Sequence, residues 1–334
     1  MKRVVLAVLA CLVTATALAQ PSAPLQSLNV ITFAGGFNLH IYVAQRQGFF
    51  AKHGVEVNLR YTPTSAYLMA GLIEGRFDIA TAAIDNLVAY DEGQGEVATR
   101  VAPDLTALLG LDDGFLSLVA IPEAKALGDL RGKDVAVDAL TTGFAFVARE
   151  MLGRGGIDPS EVRLVRAGGT SLRYAALVDR KFAATLLSTP FDLQAQARGF
   201  NALGSATKLL GAYEGRSAFA MRGWIRDHES AAIGFMRAMR EATDWIFDPR
   251  NREVCEAILL ANDRDMTSAL AARTYEMFVA PGSGLSRDLA IDMRGLGVVL
   301  ALRAKYAEPK RELGEPAKYV DQEIYRKAFP EAPR

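Results

Sequence analysis

The sequence predicts an α/β protein of two lobes, each a doubly wound, mostly parallel sheet, with a ligand cleft between the lobes. Three observations lead there. The stretch MAGLIEGRFDIATAAIDN (Met69 to Asn86) recurs in worn form as YAALVDRKFAATLLSTPF (Tyr174 to Phe191), with Phe182 lying 105 positions after Phe77. Each copy reads as an apolar-faced helix, an acidic-then-basic turn, a short buried strand and a small-residue loop opening the next helix, which is one αβ step of an open parallel sheet. The residues ahead of each copy supply the rest of a βαβ set. Finally, two extended segments, one before the second copy and one after it, are placed to carry the chain between two sheets.

In chain order, LNVITF (Leu28 to Phe33) reads as the first strand, followed by the turn Ala34-Gly35-Gly36 and a helix from about Asn38 to His53. Gly54 stops that helix as a left-handed cap, and His53 beside it is a cation near a helix C-terminus. VEVNLR (Val55 to Arg60) alternates as a second strand. A helix from Ser65 to Gly75 then leads into the strand FDIATAA, completing a βαβαβ half. The apolar stretch from Leu105 to Glu123 is interrupted by Asp112, Asp113 and Gly114. It therefore reads as two extended segments, the second crossing to the other lobe. A strand at Asp134 to Asp138, a helix opening at Thr142, a strand at Glu161 to Val165 and the strand in KFAATLLS form the second set. The return crossing is YEGRSAFAMRG (Tyr213 to Gly223), and from Trp224 onward the period is helical, broken at Pro249, Pro281-Gly282 and Gly314. Those helices are expected to cover the first lobe. The expected division is residues 1–19 as a leader, 20–117 as the first part of lobe 1, 118–215 as lobe 2, and 216–334 as the return with the C-terminal helices.

The leader expectation rests on Lys2 and Arg3, the 16-residue small and apolar run from Val4 to Ala19, and Ala17-Leu18-Ala19 before Gln20. That is the layout of a secretory signal, cleaved to leave Gln20 as the new end. The run is shorter than the ~20 residues of a spanning helix. Cys11 sits too early in it for a lipid-attachment site. Cleavage removes two cations from a chain of 38 basic and 38 acidic side chains, so the exported form carries a charge near −2. It lacks the basic excess with which nucleic-acid and anionic-membrane binders hold phosphates. Cys255 would then be the single cysteine, so no internal disulfide forms, and its setting in NREVCEAILLAND reads as a buried structural thiol.

In open α/β sheets ligands bind outside the carboxyl ends of the strands. That rule selects four loops: FAGGFN, AIDN, DALTTG and STPF. The candidate ligand-binding residues are Gly35, Gly36, Phe37 and Asn38 in the first, Asp85 and Asn86 in the second, Thr141, Thr142 and Gly143 in the third, and Ser188 and Thr189 in the fourth. Glycines let backbone N–H groups approach a ligand, and the threonines can cap a helix or donate a hydroxyl. Asp85 either favours an ammonium or N–H donor on the ligand or caps the helix near Asn86. Phe37, Phe144 and Phe191 can wall a ligand. Arg163, Arg166 and Arg173 cluster in sequence near lobe 2, where one could hold an acid group, but exposed strand ends and helix faces are the expected place for them. No catalytic set or metal site is expected, because His40, His53 and His228 have no metal-pair spacing and no P-loop, GxSxG or complete dinucleotide fingerprint occurs. No cofactor is expected either.

The phrases YVAQRQGFFAKHGVEV, AGLIEGRFDIATAAIDN, LRGKDVAV, AALVDRKFAATLLSTP and HESAAIGFMRAMREATDWI occur in that order, within a likeness that runs from about Leu28 to Phe247. In them the chain resembles the periplasmic substrate-binding proteins of ABC importers, in the branch of sulfonate, taurine and nitrate binders and NMT1/THI5-like proteins. The resemblance implies a type II periplasmic-binding-protein fold, closure on a small-molecule solute, and a permease and ATPase complex in the membrane as partner to a periplasmic monomer. Members binding sulfonate or nitrate tend to place small hydroxyl or basic groups where this chain has Asp85. The THI5-type enzymes use a histidine and a cysteine-rich motif absent here, which leaves that enzyme class, and a receptor feeding a sensor system, as the alternatives.

Overall fold

The computed structural model describes residues 24–280 and 284–331. The expected leader, its cleavage site and the break at Pro281-Gly282 lie outside the described residues. Two five-stranded sheets organise the chain. The first contains β1 (Gln26–Thr32), β2 (Val55–Tyr61), β3 (Ile79–Ala83), β4 (Leu105–Gly110) and β10 (Arg216–Met221), in the order β2-β1-β3-β10-β4. The second contains β5 (Leu116–Ala120), β6 (Asp134–Val137), β7 (Arg163–Arg166), β8 (Ala184–Ser188) and β9 (Asn201–Ser205), in the order β7-β6-β8-β5-β9. The two orders are one pattern used twice. β3 and β8 take the same place, and β8 starts 105 residues after β3, the offset between Phe77 and Phe182.

Pairing is parallel where β1 meets β2 and β3 and where β6 meets β7 and β8. The fourth position in each sheet holds the strand that arrives from the other lobe, and β10 and β5 each run antiparallel to both neighbours. Such a strand enters at the edge where the parallel strands end. With no crossover helix to carry it back, it can only run against them. The sequence reading missed β9, a half-exposed strand of five residues without clear alternation.

The helix expected over Asn38 to His53 is divided into a 3₁₀ turn at Gly36–Asn38, α1 (Leu39–Arg46) and α2 (Phe49–Lys52). Gly48, at φ +74°, makes the break. The redirected α2 buries Phe50 and stacks it on Phe235, with ring centroids 5.7 Å apart. Gly54 is left-handed as expected, at φ +78°. α3 (Ser65–Ile73) starts at a Thr64 hydroxyl that accepts the Tyr67 N–H at 3.2 Å. α4 (Ile84–Asp91), α5 (Gly143–Arg154), α6 (Thr170–Val178), α7 (Phe191–Ala197) and the short α8 (Ala206–Leu210) follow their strands.

The remaining helices are α9 (Arg222–Asp227), α10 (Glu229–Phe247), α11 (Arg252–Asn262), α12 (Ser268–Phe278), α13 (Met293–Tyr306) and α14 (Gln322–Ala328). α10 packs on α1, α2 and α14, while α11 packs on α1, giving the cover over lobe 1. α13 packs on α4 of lobe 1 and also on α5 of lobe 2. No helix among the described residues is long and apolar enough to cross a membrane.

The sheet changes between Gly110 and Leu116 and again between Ser205 and Arg216. These two crossings lie against each other: Gly215 N donates to Asp112 O at 2.9 Å, and Leu111 N donates to Arg216 O at 2.8 Å. A Cβ on Gly215 would meet Gly114 N at 2.1 Å, so only glycine permits this approach.

Candidate functional site

A narrow cavity lies between the lobes, at the carboxyl ends of the parallel strands. Its apolar walls are Phe33 and Phe37 from the loop after β1 and Phe144 from the first turn of α5. Ala82, Ala83, Gly143 and Gly169 bring backbone close to it, while Asn86, Asp138, Thr142, Thr170 and Ser188 add polar groups. Two guanidinium groups complete the lining, Arg216 from lobe 1 and Arg173 from lobe 2.

The lobes touch beside the cavity. Gly169 N donates to Pro63 O at 3.0 Å, and a Cβ at Gly169 would meet the Phe33 ring at 2.7 Å. A Cβ at Gly143 would meet the Asp85 Cβ at 2.6 Å, so the N-termini of α4 and α5 abut through that glycine. Arg166 and Glu96 form an ion pair from lobe to lobe.

Arg173 is 1% exposed. It donates to Gly168 O at 2.6 Å, to Leu186 O at 3.1 and 3.3 Å, and to Thr170 Oγ1 at 3.2 Å. None of these acceptors is charged, and burial pulls its pKa below the usual arginine value, opposed by the more distant Asp138 charge. Asp138 takes the Thr142 hydroxyl on Oδ1 at 2.6 Å, and burial raises its pKa, opposed by Arg173 and that hydroxyl. Arg216 donates through Nε to Asp112 Oδ2 at 2.7 Å, through Nη2 to Phe37 O at 2.6 Å and through Nη1 to Asn38 Oδ1 at 3.3 Å. Its guanidinium carbon stands 4.3 Å from the Phe37 ring centroid. With these bonds made, Arg173 and Arg216 each keep an Nη1 hydrogen free of the protein partners described here.

Of the residues selected from sequence, Phe37, Asn86, Thr142, Gly143 and Ser188 line the cavity. The others stand behind it. Asn38 braces its own loop by donating to Phe33 O at 2.7 Å and Gly35 O at 3.1 Å. A Cβ at Gly35 would meet the Phe37 ring at 2.5 Å and Phe191 at 3.0 Å, and one at Gly36 would meet Leu259 at 3.0 Å and Pro190 at 3.2 Å. Thr141 is exposed, and its carbonyl accepts Arg303 Nη2 at 3.1 Å. Thr189 is buried with its hydroxyl near the Met277 sulfur. Thr142 stands at the N-cap of α5 without a side-chain cap bond, and its hydroxyl donates to Asp138 Oδ1.

Asp85 requires a correction, because it neither faces the cavity nor caps α4 with its side chain. Arg303 reaches it from α13, with Nε to Oδ1 at 2.7 Å and Nη2 to Oδ2 at 2.5 Å, and the two side chains are 1% and 0% exposed. A carboxylate held on both oxygens by a buried guanidinium has no charge to offer a ligand. For Arg173 the exposed helix face, the expected of its two placements, is corrected: it lies buried at the cavity. One signal for it was available: AGGT (Ala167 to Thr170) follows β7 at the same carboxyl edge, so the strand-end rule applies to that loop as well. Arg216 carried no such signal, because it opens the antiparallel strand.

Among the described residues no group of three or more His, Cys, Asp or Glu side chains is placed to hold a metal ion. Cys255 is fully buried in α11, away from the cavity lining, and burial pushes its thiol up to about 12.

Two like-built lobes joined by paired crossings, with a cavity lined from both, define a periplasmic-binding-protein fold. Solved structures carry the same fold. The periplasmic nitrate-binding protein NrtA from Synechocystis PCC 6803 superposes with a TM-score of 0.75 at 14% identity, covering 92% of this chain and 90% of that one. The alkanesulfonate-binding protein SsuA from Xanthomonas axonopodis pv. citri, bound to MOPS, gives 0.68 at 14% identity over 90% and 99% of the two chains. The desulfurization enzyme DSZB gives 0.60 at 13% identity over 91% and 99%. A comparison with curated protein sequences gives no match. The NMT1/THI5-like family model matches residues 38–252, well over half of the sequence, and the chain belongs to that family.

Proposed function

We propose that the protein is an extracytoplasmic solute receptor that captures a small organic solute and delivers it to an ABC importer by closing its lobes. The observation that carries this is the cavity itself, with aromatic walls and one guanidinium from each lobe. A solute of sulfonate, carboxylate or pyrimidine-precursor type matches that lining. Its acidic or carbonyl oxygen meets the free Nη1 hydrogens of Arg173 and Arg216, an N–H or hydroxyl meets Asp138, and its flat or aliphatic body lies between Phe33, Phe37 and Phe144. Contacts from the second lobe exist only when the cleft is shut, so solute shifts the population toward closure. The ABC permease as partner and export by the leader at residues 1–19 belong to the same reading, supported by family membership and by periplasmic binders of the same fold.

A thermal-shift screen of the purified protein against small carboxylates, sulfonates, amines and pyrimidines tests it. A ligand at 100 times its dissociation constant adds about 2.7 kcal/mol. The expected hit raises the melting temperature and is recovered unchanged. Chemical turnover of the hit favours an enzyme on this fold, and no hit in the four classes counts against the proposed solute.

A further inference from the structure

We propose that Arg216 is a hinge-positioning residue: the guanidinium that faces the cavity also holds the two interlobe crossings in register, so that cleft occupancy and hinge geometry are read by one side chain. The inference rests on the reading of the chain as a receptor that closes on its solute. Asp112 lies on the first crossing and Arg216 ends the second. Asp112 Oδ2 accepts Arg216 Nε at 2.7 Å, and its Oδ1 accepts both Arg216 N at 3.1 Å and Gly114 N at 2.8 Å. One carboxylate thus fixes the turn of the first crossing and the start of the strand leaving the second. The pair is buried, at 8% and 0% side-chain exposure, where charge–charge attraction is little screened.

The same guanidinium reaches the ligand side. It lines the cavity, lies over the Phe37 ring and donates to Phe37 O, so the pose of that aromatic wall depends on where Arg216 stands. Arg173 differs in the respect that matters: among the described residues its hydrogen-bond partners are neutral groups of lobe 2, and none lies on a crossing. The backbone approach of Gly114 and Gly215 prevents the crossings from bending independently. Linkage then runs both ways: if solute at Arg216 favours the closed register, loss of the register weakens the solute.

The test is double electron–electron resonance on the full protein, spin-labelled at exposed Glu56 in lobe 1 and Lys181 in lobe 2, with benzoate, ethanesulfonate and uracil as probes. Arg216→Lys keeps a charge for Asp112 but loses the forked geometry; Asp112→Asn is the harsher companion; Arg173→Lys is the comparison. Without any probe, Arg216→Lys is expected to broaden the distance distribution relative to wild type, while Arg173→Lys leaves it unchanged. With the probe that narrows the wild-type distribution, Arg173→Lys needs about tenfold more but narrows fully, whereas Arg216→Lys stays broad at saturation. An unchanged unliganded distribution in Arg216→Lys, or its full narrowing at saturation, overturns the inference, whatever Asp112→Asn does. Insensitivity of the wild type to all three probes, with Arg216→Lys still broadened, counts against the proposed solute classes and supports the positioning role.

Discussion

Replacing Asp85 by Asn tests whether that carboxylate belongs to the scaffold or to the ligand. The substitution keeps one oxygen but turns Oδ2, now 2.5 Å from Arg303 Nη2, into an amide that must face another donor. The guanidinium is left with the remaining amide oxygen, Gln94 Oε1 at 3.2 Å and Thr141 O at 3.1 Å, all neutral, at a site where both side chains are buried. Removing one partner of a buried ion pair costs about 3 to 5 kcal/mol, because the other charge stays buried and unpaired. At roughly 2 °C per kcal/mol for a chain of this size, the melting temperature should fall by about 6 to 10 °C. Solute affinity, measured by calorimetry well below the melting transition, should change less than about threefold, since Asp85 does not line the cavity. The double variant Asp85→Leu with Arg303→Met removes both charges while keeping volume, and should recover at least half of the lost stability. A melting temperature within about 2 °C of wild type, together with a large loss of affinity, would refute the scaffold assignment.

Three further outcomes follow from the same structure. Burial raises Glu214 to about 8, with Asp112 and Asp292 adding like charge. The folded protein therefore holds a proton that the unfolded chain releases near 4.5, and this contribution is full below that value and lost as pH rises to about 8. Glu214→Gln can still accept from Asp292 N and pair with Ser217 Oγ, so chemical denaturation should show a flatter decline from pH 5 to 8 and greater stability than wild type at pH 8. Gly143→Ala places a Cβ 2.6 Å from that of Asp85, which Arg303 holds in place; small-angle scattering should report a larger radius of gyration with solute present, and affinity should drop. Arg173→Met should weaken an acidic solute by about 1.5 to 3 kcal/mol in calorimetry while sparing a neutral analogue, and equal losses for both would count against a charge-reading role.

The sequence by itself determined the local steps and their order. Apolar period, the break at Gly54 and the echo of Phe77 in Phe182 placed β3 and β8 in corresponding positions, and the interrupted apolar stretch around Gly114 located the first crossing. These signals survive because strand alternation, helix faces and left-handed glycines are set by neighbours a few residues apart. The strand-end rule likewise reached Asn86, Thr142, Gly143 and Ser188 without coordinates. The tertiary structure alone decided which charges meet. Arg303 reaches Asp85 across 218 positions and Arg216 reaches Asp112 across 104, while Arg173 is turned into the cavity by carbonyls at Gly168 and Leu186. A charge in a sequence has many possible partners and no period to select one. Which partner it takes, and whether a ligand can compete, depends on distance and burial that exist only once the lobes and α13 have packed.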